Sequence, residues 1–225
     1  MTGTLINAGA IIVGSTAGII LHARLPRRVT DIVFQGLGLF TLYIGFSMAG
    51  RTSHMLLMIF SIVTGSILGE LLGLESGMER LSEGLKSRLK SSNEKFTEGM
   101  ITAFLLYCMG SLTILGAFEE GLGGRPNLLL TKSVLDGFSS VALASALGIG
   151  VMFSVLPLLI YQGGLTLLAA QLQDLFTEVV IDELSAVGGL LLIGLGINIL
   201  EIKRLRIMNM LPALVVIVVL TLIFA

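Results

Sequence analysis

Apolar residues run in long blocks along this chain, at about 4–22, 31–49, 55–73, 99–118, 132–153, 154–173, 186–200 and 210–225, with short polar stretches between them. A block of about 20 apolar residues rising ~1.5 Å each matches the ~30 Å hydrocarbon core of a bilayer, so each block predicts a transmembrane helix. The pattern thus predicts an all-α, polytopic transmembrane helix bundle of about eight spans, a single integral membrane domain over residues 1–225. The fifth and sixth blocks meet at Phe153-Ser154-Val155 with almost no loop, and the seventh is short. A seven-span or re-entrant arrangement is the alternative. One stretch departs from the pattern: Met78, Leu81, Leu85 and Leu89 recur at steps of three or four with charges between them. That spacing predicts an amphipathic connecting segment over 75–98, lying on the cytoplasmic membrane surface with its basic residues near anionic headgroups; a helix that docks a partner is the sharper reading.

Composition closes off the soluble classes. Apolar residues make up 54% of the chain, charged residues 13%, and the mean hydropathy is +0.96, outside the range of water-soluble domains. Little length is left for a separate soluble catalytic domain, and nothing supports nucleic-acid binding. The N-terminal block lacks the basic leader of a signal peptide and carries its arginines after it, which predicts a retained first helix. The single cysteine, Cys108, lies in an apolar run and reads as a small buried hydrophobe.

Placement of basic residues sets orientation, because Lys and Arg accumulate in cytoplasmic loops. Arg24, Arg27 and Arg28 follow the first block; Arg80, Lys86, Arg88, Lys90 and Lys95 follow the third; Lys203, Arg204 and Arg206 follow the seventh. With eight spans these share one side, against Arg51, Arg125 and Lys132 on the other, a ratio of 11 to 3 that puts both termini outside. Removing any one span before residue 200 would move the Lys203 to Arg206 cluster to the wrong side.

Shifting the chain by 151 residues superimposes Asp31 on Asp182, Gly38-Leu39 on Gly189-Leu190, Gly45 on Gly196 and Ser47 on Asn198. Five spans separate the two copies, so they would run in opposite directions through the bilayer. Inverted-topology repeats characterise secondary transporters, with the substrate site near the midplane; convergent helix-packing composition is the other explanation.

Ionisable groups at membrane depth cost about 2.5–3.5 kcal/mol on insertion scales and so mark function or a partner. Asp136 leads, because Ser139 and Ser140 follow it at three and four residues, on the same helical face. If Pro126 opens the helix, Asp136 lies about 15 Å in; a structural pairing with Lys132, four residues earlier, competes with an ion-binding role. Pro157 and Tyr161-Gln162-Gly163-Gly164 suggest a broken helix whose freed carbonyls and Gln162 would line a cavity, or else tight packing. Glu70 sits in Gly65-x-x-x-Gly69-Glu70, a close-packing motif repeated at Gly14 and Gly18, near the cytoplasmic end where it would pair with a loop arginine. Asn7 and Asn198 read as interhelical hydrogen-bond formers, and Glu119-Glu120 as a solvated outer loop, with an acidic vestibule attracting cations as the alternative.

No metalloprotease, nucleophile-elbow or phosphate-loop motif is present, and His22 and His54 lie at opposite span ends. That argues against an enzyme and calls for no cofactor. Several segments in order (Gly3-Thr4-Leu5-Ile6-Asn7-Ala8, Gly69-Glu70-Leu71-Leu72, Leu135 to Ser140, Leu147 to Val151, Tyr161-Gln162-Gly163 and Ser185 to Leu190) resemble the prokaryotic domain-of-unknown-function 554 membrane family over about residues 1–215. The resemblance implies a multi-pass inner-membrane protein of a kind loosely labelled a sodium channel or pump, and brings no established catalytic residues.

The leading expectation is a secondary transporter or channel for a small cation or polar solute in the cell (inner) membrane. Its pathway would be lined by Asp136, Ser139, Ser140, Gln162, Tyr161, Glu70, Asn7 and Asn198. The metal, if any, is open, since oxygen ligands suit hard cations in general. The alternative is a non-transporting scaffold or sensor that docks a partner through 75–98. Besides the lipid bilayer, the small-residue faces suggest a second copy as partner, a homodimer.

Overall fold

The computed structural model describes residues 1–22, 27–89, 93–172 and 174–225. Arg24 and Lys90, counted above in the cytoplasmic loops, lie outside the described residues, as do residues 90–92 of the 75–98 segment. The described residues form helices and no strand. In order these are α1 (Thr2–His22), α2 (Arg27–Ala49), α3 (Met55–Leu72), α4 (Leu74–Arg88), α5 (Phe96–Cys108), α6 (Ser111–Gly121), α7 (Asn127–Leu147), α8 (Gly150–Phe153), α9 (Val155–Leu172), α10 (Glu178–Ile199) and α11 (Pro212–Phe224), with a 3-10 turn at Ile207–Met210 before α11.

Each of the eight apolar blocks falls on helix. Six stretches are long and apolar enough to cross a membrane by themselves: Thr2–Leu21, Met55–Leu72, Asn127–Leu147, Gly150–Leu172, Glu178–Ile199 and Ile207–Phe224. A seventh is added if α5 and α6, bent by 66° at their junction, form one span. The protein is therefore multi-pass.

Local chemistry explains most boundaries and corrects several expectations. α3 ends at Gly73, whose φ of 62° is the left-handed conformation glycine adopts at a helix C-terminus; its N–H turns back to the carbonyls of Gly69 and Glu70. α7 opens five residues before the expected 132, directly after Pro126. It ends at Gly148 (φ 78°), so the corner between the fifth and sixth blocks lies there, and Ser154 is only a single turn between α8 and α9. The expected break at Pro157 and Gly163-Gly164 is absent, for α9 runs unbroken through both. Pro157 is the third residue of α9, where its missing N–H removes no intrahelical bond. α10 starts at Glu178 behind an N-cap from Thr177, eight residues before the expected 186. Acidic residues had masked those first two turns, but Glu183 is buried and partnered there. Glu119 and Glu120, expected in a loop, sit in the last turn of α6.

The chain divides into two compact units. The first comprises Met1–Leu37 and Ser82–Leu172, the second Gly38–Leu81 and Gln173–Ala225. In the first, α1 lies along α7, with Gly14 against Gly137 and Gly18 against Val141 and Ala144. Fully buried Ile11, Phe96, Met100, Leu105, Leu129, Leu143 and Leu158 fill its interior. In the second, Gly65 and Gly69 of α3 let Ala213 and Asn209 approach closely, and Gly45 of α2 meets Gly189 of α10. Gly14, Gly18, Gly65 and Gly69 of the small-residue faces therefore pack against helices of the same chain. Outward faces carry exposed Leu5, Val13, Leu56, Phe60, Ile160, Leu167, Val215 and Ile223, an arrangement costly in water and favourable against lipid tails.

Candidate functional site

Polar side chains on four apolar helices of the first unit meet in one continuous row. Asp136 stands nine residues into α7, about 14 Å along the helix from its start. Its Oδ2 accepts from Lys132 Nζ one turn earlier and from Asn7 Nδ2 of α1 at 3.0 Å. Asn7 Nδ2 also donates to Gln162 Oε1 of α9 at 3.3 Å. Gln162 Nε2 donates to Thr4 Oγ1 at 3.2 Å, and Thr4 Oγ1 donates to Glu120 Oε2 of α6 at 3.3 Å. Glu120 further accepts from the backbone N–H of Gly3 at 2.7 Å, an orphan donor of the first turn of α1. Thr166 Oγ1 donates to the carbonyl of Gln162 at 3.0 Å and stands 3.5 Å from Thr4 Oγ1.

The row is shielded from the surface: Asn7 and Gln162 are 0% exposed, Lys132 5% and Asp136 7%. Every side chain of the row has at least one partner, but one buried atom among them has none. Asn7 Oδ1 is buried and receives no hydrogen bond, a costly state for an amide oxygen.

Behind Asp136, Ser140 Oγ donates to the Asp136 backbone carbonyl at 2.6 Å. Its proton thus committed, the 2.7 Å contact between Tyr107 OH and Ser140 Oγ has the tyrosine as donor. The Tyr107 ring lies 5.7 Å from Lys132 Nζ, within range of a cation–π attraction. Ser140 therefore braces the helix behind the carboxylate and does not present a hydroxyl beside it. Ser139 is half-buried and outside the row. Tyr161 is half-buried too, edge-on to Phe104 at 6.4 Å between ring centres.

Glu70 and Asn198 belong to the second unit, each with partners of its own. Asn198 clamps the segment after α10, with Nδ2 donating to the Leu205 carbonyl at 2.9 Å and Oδ1 accepting from its N–H at 2.7 Å. Glu70 accepts from Arg206 at 2.6 Å and from Asn209 Nδ2 at 2.7 Å. These residues border a cavity of about 520 Å³, with Glu75, Glu79 and Arg204 also in its lining. Arg204 pairs with Glu79 at 2.8 Å, and Asn209 Oδ1 caps the N–H of Glu75 at the start of α4 at 2.7 Å. Glu75 Oε2 is buried without a partner. Burial first, and the neighbouring charge of Glu79 second, push the Glu75 carboxyl above its ordinary value.

One buried acid of the second unit has no counterpart in the expected pathway. Glu183 of α10, 1% exposed, accepts from Thr52 Oγ1 at 2.6 Å, from the N–H groups of Ser53 at 2.8 Å and His54 at 3.0 Å, and contacts His54 Nδ1 at 3.2 Å. It thereby satisfies the backbone donors that open α3. Among the described residues no group of three or more His, Cys, Asp or Glu side chains is arranged to hold a metal ion.

Thr4 and Thr166 of the row, and Tyr107 behind it, were not singled out from sequence, and Glu120 was read there as a loop residue. A signal existed for two of them: Thr4 and Asn7 are three apart on α1, and Gln162 and Thr166 four apart on α9, so each pair marks one face of an otherwise apolar helix.

Apolar helices long enough to span, lipid-facing leucines and valines, and a polar row sealed among them define a multi-pass integral membrane protein. The chain belongs to the family described as "Protein of unknown function (DUF554)", whose profile matches residues 2–222. It is similar to the Uncharacterized membrane protein YdfK of Bacillus subtilis (strain 168), 34% identical over 222 residues covering 96% of this chain and 93% of that protein. It is also similar to the Uncharacterized protein YqgA of Escherichia coli (strain K12), 35% identical over 217 residues covering 94% and 92%. No solved structure matches it at a significant level.

Proposed function

We propose that this protein is a secondary transporter or channel that carries a small cation or polar solute across the cell (inner) membrane, with the row from Glu120 to Lys132 as its pathway. The observation that carries this reading is the burial of an ionisable pair, two amides and two threonines among apolar helices. Amides and hydroxyls can serve as glue between membrane helices, but an ionisable pair at that depth is costly and marks a function.

Helix directions support eight spans with both termini outside. α1 and α7 run parallel, since Gly3 lies against Leu129, Gly14 against Gly137 and Gly18 against Val141. α1 and α9 run antiparallel, since Thr4 faces Thr166 and Asn7 faces Gln162. Parallel α1 and α7 require an odd number of crossings between them, which α2, α3 and the bent α5–α6 pair supply if each crosses once. Eight crossings in all return the C-terminus to the side of the N-terminus, and the 11 to 3 distribution of Lys and Arg makes that side the outside.

The same 151-residue shift carries α1, α2 and α3 onto 153–173, 178–200 and 206–223, close to the observed α9, α10 and the stretch Ile207–Phe224. Glycines matched by the shift also pack together: Gly45 meets Gly189, and Gly196 meets the carbonyl of Gly38. Both findings favour an inverted pair of three-helix repeats, a frame suited to alternating access.

The test is flux into proteoliposomes containing the purified protein, wild type beside Asp136→Asn, with sodium, potassium and proton gradients imposed separately and a panel of polar solutes. Gradient-dependent uptake that disappears in the variant is the expected result. Absence of flux for every species from folded wild-type protein would refute the reading and turn attention to α4 as a docking helix.

A further inference from the structure

A pathway for a neutral solute would not need Lys132. This residue lies five positions into α7, about 8 Å from the helix start, shallow enough for its four-carbon stem to carry the ammonium to the headgroup region, where lysines near span ends ordinarily place it. Here the side chain is instead buried and turned inward onto Asp136 Oδ2. Asp136, one turn deeper on a one-carbon stem, has no such freedom. The pair is thus asymmetric, with a cation that can withdraw and a carboxylate that cannot.

Withdrawal of the ammonium leaves an oxygen-rich site. Asn7 Nδ2 stands 3.0 Å from Asp136 Oδ2 and 3.3 Å from Gln162 Oε1, while its own carbonyl oxygen is buried and unpartnered. A half-turn of the Asn7 amide adds that third oxygen to the other two, a donor set for a hard cation. Charge selects the valence. One carboxylate balanced by one ammonium stays neutral when a monovalent ion replaces the ammonium, whereas a divalent ion would leave an uncompensated buried charge.

We propose that the ammonium of Lys132 is a tethered stand-in for the transported ion, and that a monovalent inorganic cation binds Asp136, Asn7 and Gln162 by displacing it. This rests on the transport reading above and assigns it a substrate class and a competitor. Lys132 keeps the empty site neutral, so the carboxylate is never bare in the apolar interior. The Tyr107 ring holds the ammonium on one side without a charge of its own.

The experiment measures Lys132 accessibility in the wild-type protein, purified in nanodiscs at constant pH and ionic strength. Choline is replaced stepwise by lithium, sodium or potassium, and acylation of lysines by an amine-reactive ester is followed by peptide mass spectrometry with exposed Lys203 as reference. At least one alkali cation is expected to accelerate Lys132 labelling in a saturable way while leaving Lys203 unchanged. Radiotracer binding of that cation should tighten about tenfold or more in Lys132→Gln, as expected where the Lys132-engaged state holds about nine-tenths of the population, and should be lost in Asp136→Asn. Labelling indifferent to all three cations, or binding to Lys132→Gln no tighter than to wild type, overturns the proposal. The labelling arm uses unaltered protein, so a folding defect in either variant leaves it decisive. Cation-dependent labelling without flux would refute transport and keep the site; Asp136-dependent flux with cation-indifferent Lys132 would do the reverse.

Discussion

Alanine at Gly14 and at Gly9 should change this protein in opposite directions, although both lie on α1 within two turns of each other. A methyl group on Gly14 would fall on the carbonyl oxygen of Gly137 and 3.0 Å from Ser140 Cβ. The first of these is backbone and cannot rotate aside, so α1 must move off α7. Overpacking of this kind costs about 1–3 kcal/mol. Gly9 has nothing within 4 Å of its would-be Cβ, so alanine there keeps only the better helix propensity, up to about 1 kcal/mol. Both variants share the propensity gain, so they should differ by the overpacking cost alone, roughly 1–3 kcal/mol, or roughly 2–12 °C in apparent Tm at about 2–4 °C per kcal/mol for a chain of this size. The assay is thermal unfolding in one detergent, monitored by size exclusion. Because the same interface holds Asn7 against Asp136 at 3.0 Å, Gly14→Ala should also lower flux at temperatures where it remains folded. Gly14→Ala melting within about 1 °C of Gly9→Ala would refute the packing argument.

Two further outcomes follow from the second unit. Glu183→Ala strips the acceptor from the Ser53 and His54 N–H groups and the Thr52 hydroxyl. Ser53 is exposed and Thr52 and His54 half-buried, so water replaces part of what is lost and the fold should be destabilised by about 1–3 kcal/mol. Glu183→Gln, which keeps one acceptor oxygen, should lose less, and equal melting of the two variants would contradict the capping role. Glu75 has a carboxyl pKa raised by burial, so the folded state binds its proton more tightly than the unfolded chain does. Its contribution to stability is therefore full below the ordinary value near 4.5 and declines as pH rises through the folded pKa. Glu75→Gln should accordingly be at least as stable as wild type at pH 7 and lose that advantage below about pH 4, which melting curves across pH would check.

The site itself was partly legible. Asp136, Asn7 and Gln162 stand out because a polar group inside an apolar block is conspicuous at any register, and Lys132 four residues before Asp136 is a helical neighbour by arithmetic alone. Glu120 was hidden because an acid beside glycines looks the same in a loop as in a helix end. Glu183 shortened the seventh block in the sequence pattern, since hydropathy counts a carboxylate as polar whether or not other chains of atoms satisfy it. Ser140 illustrates the converse: its spacing places it on the face of Asp136, yet its hydroxyl bonds the backbone carbonyl at 2.6 Å.

Hydropathy and periodicity in this sequence determined the membrane environment, the helical class and the number of apolar segments, because a bilayer penalises every unpaired backbone group and leaves helices as the main solution for blocks of this length. The distribution of Lys and Arg likewise carried an orientation without any coordinates. Tertiary structure decided which glycines are interfaces, that α9 is unbroken at Pro157 and Gly163-Gly164, and that residues 4, 7, 120, 132, 136, 162 and 166 form one row. Those facts depend on how far apart helices lie and how they rotate about their axes. Both are set by contacts among side chains distant in sequence, and a one-dimensional pattern does not contain them.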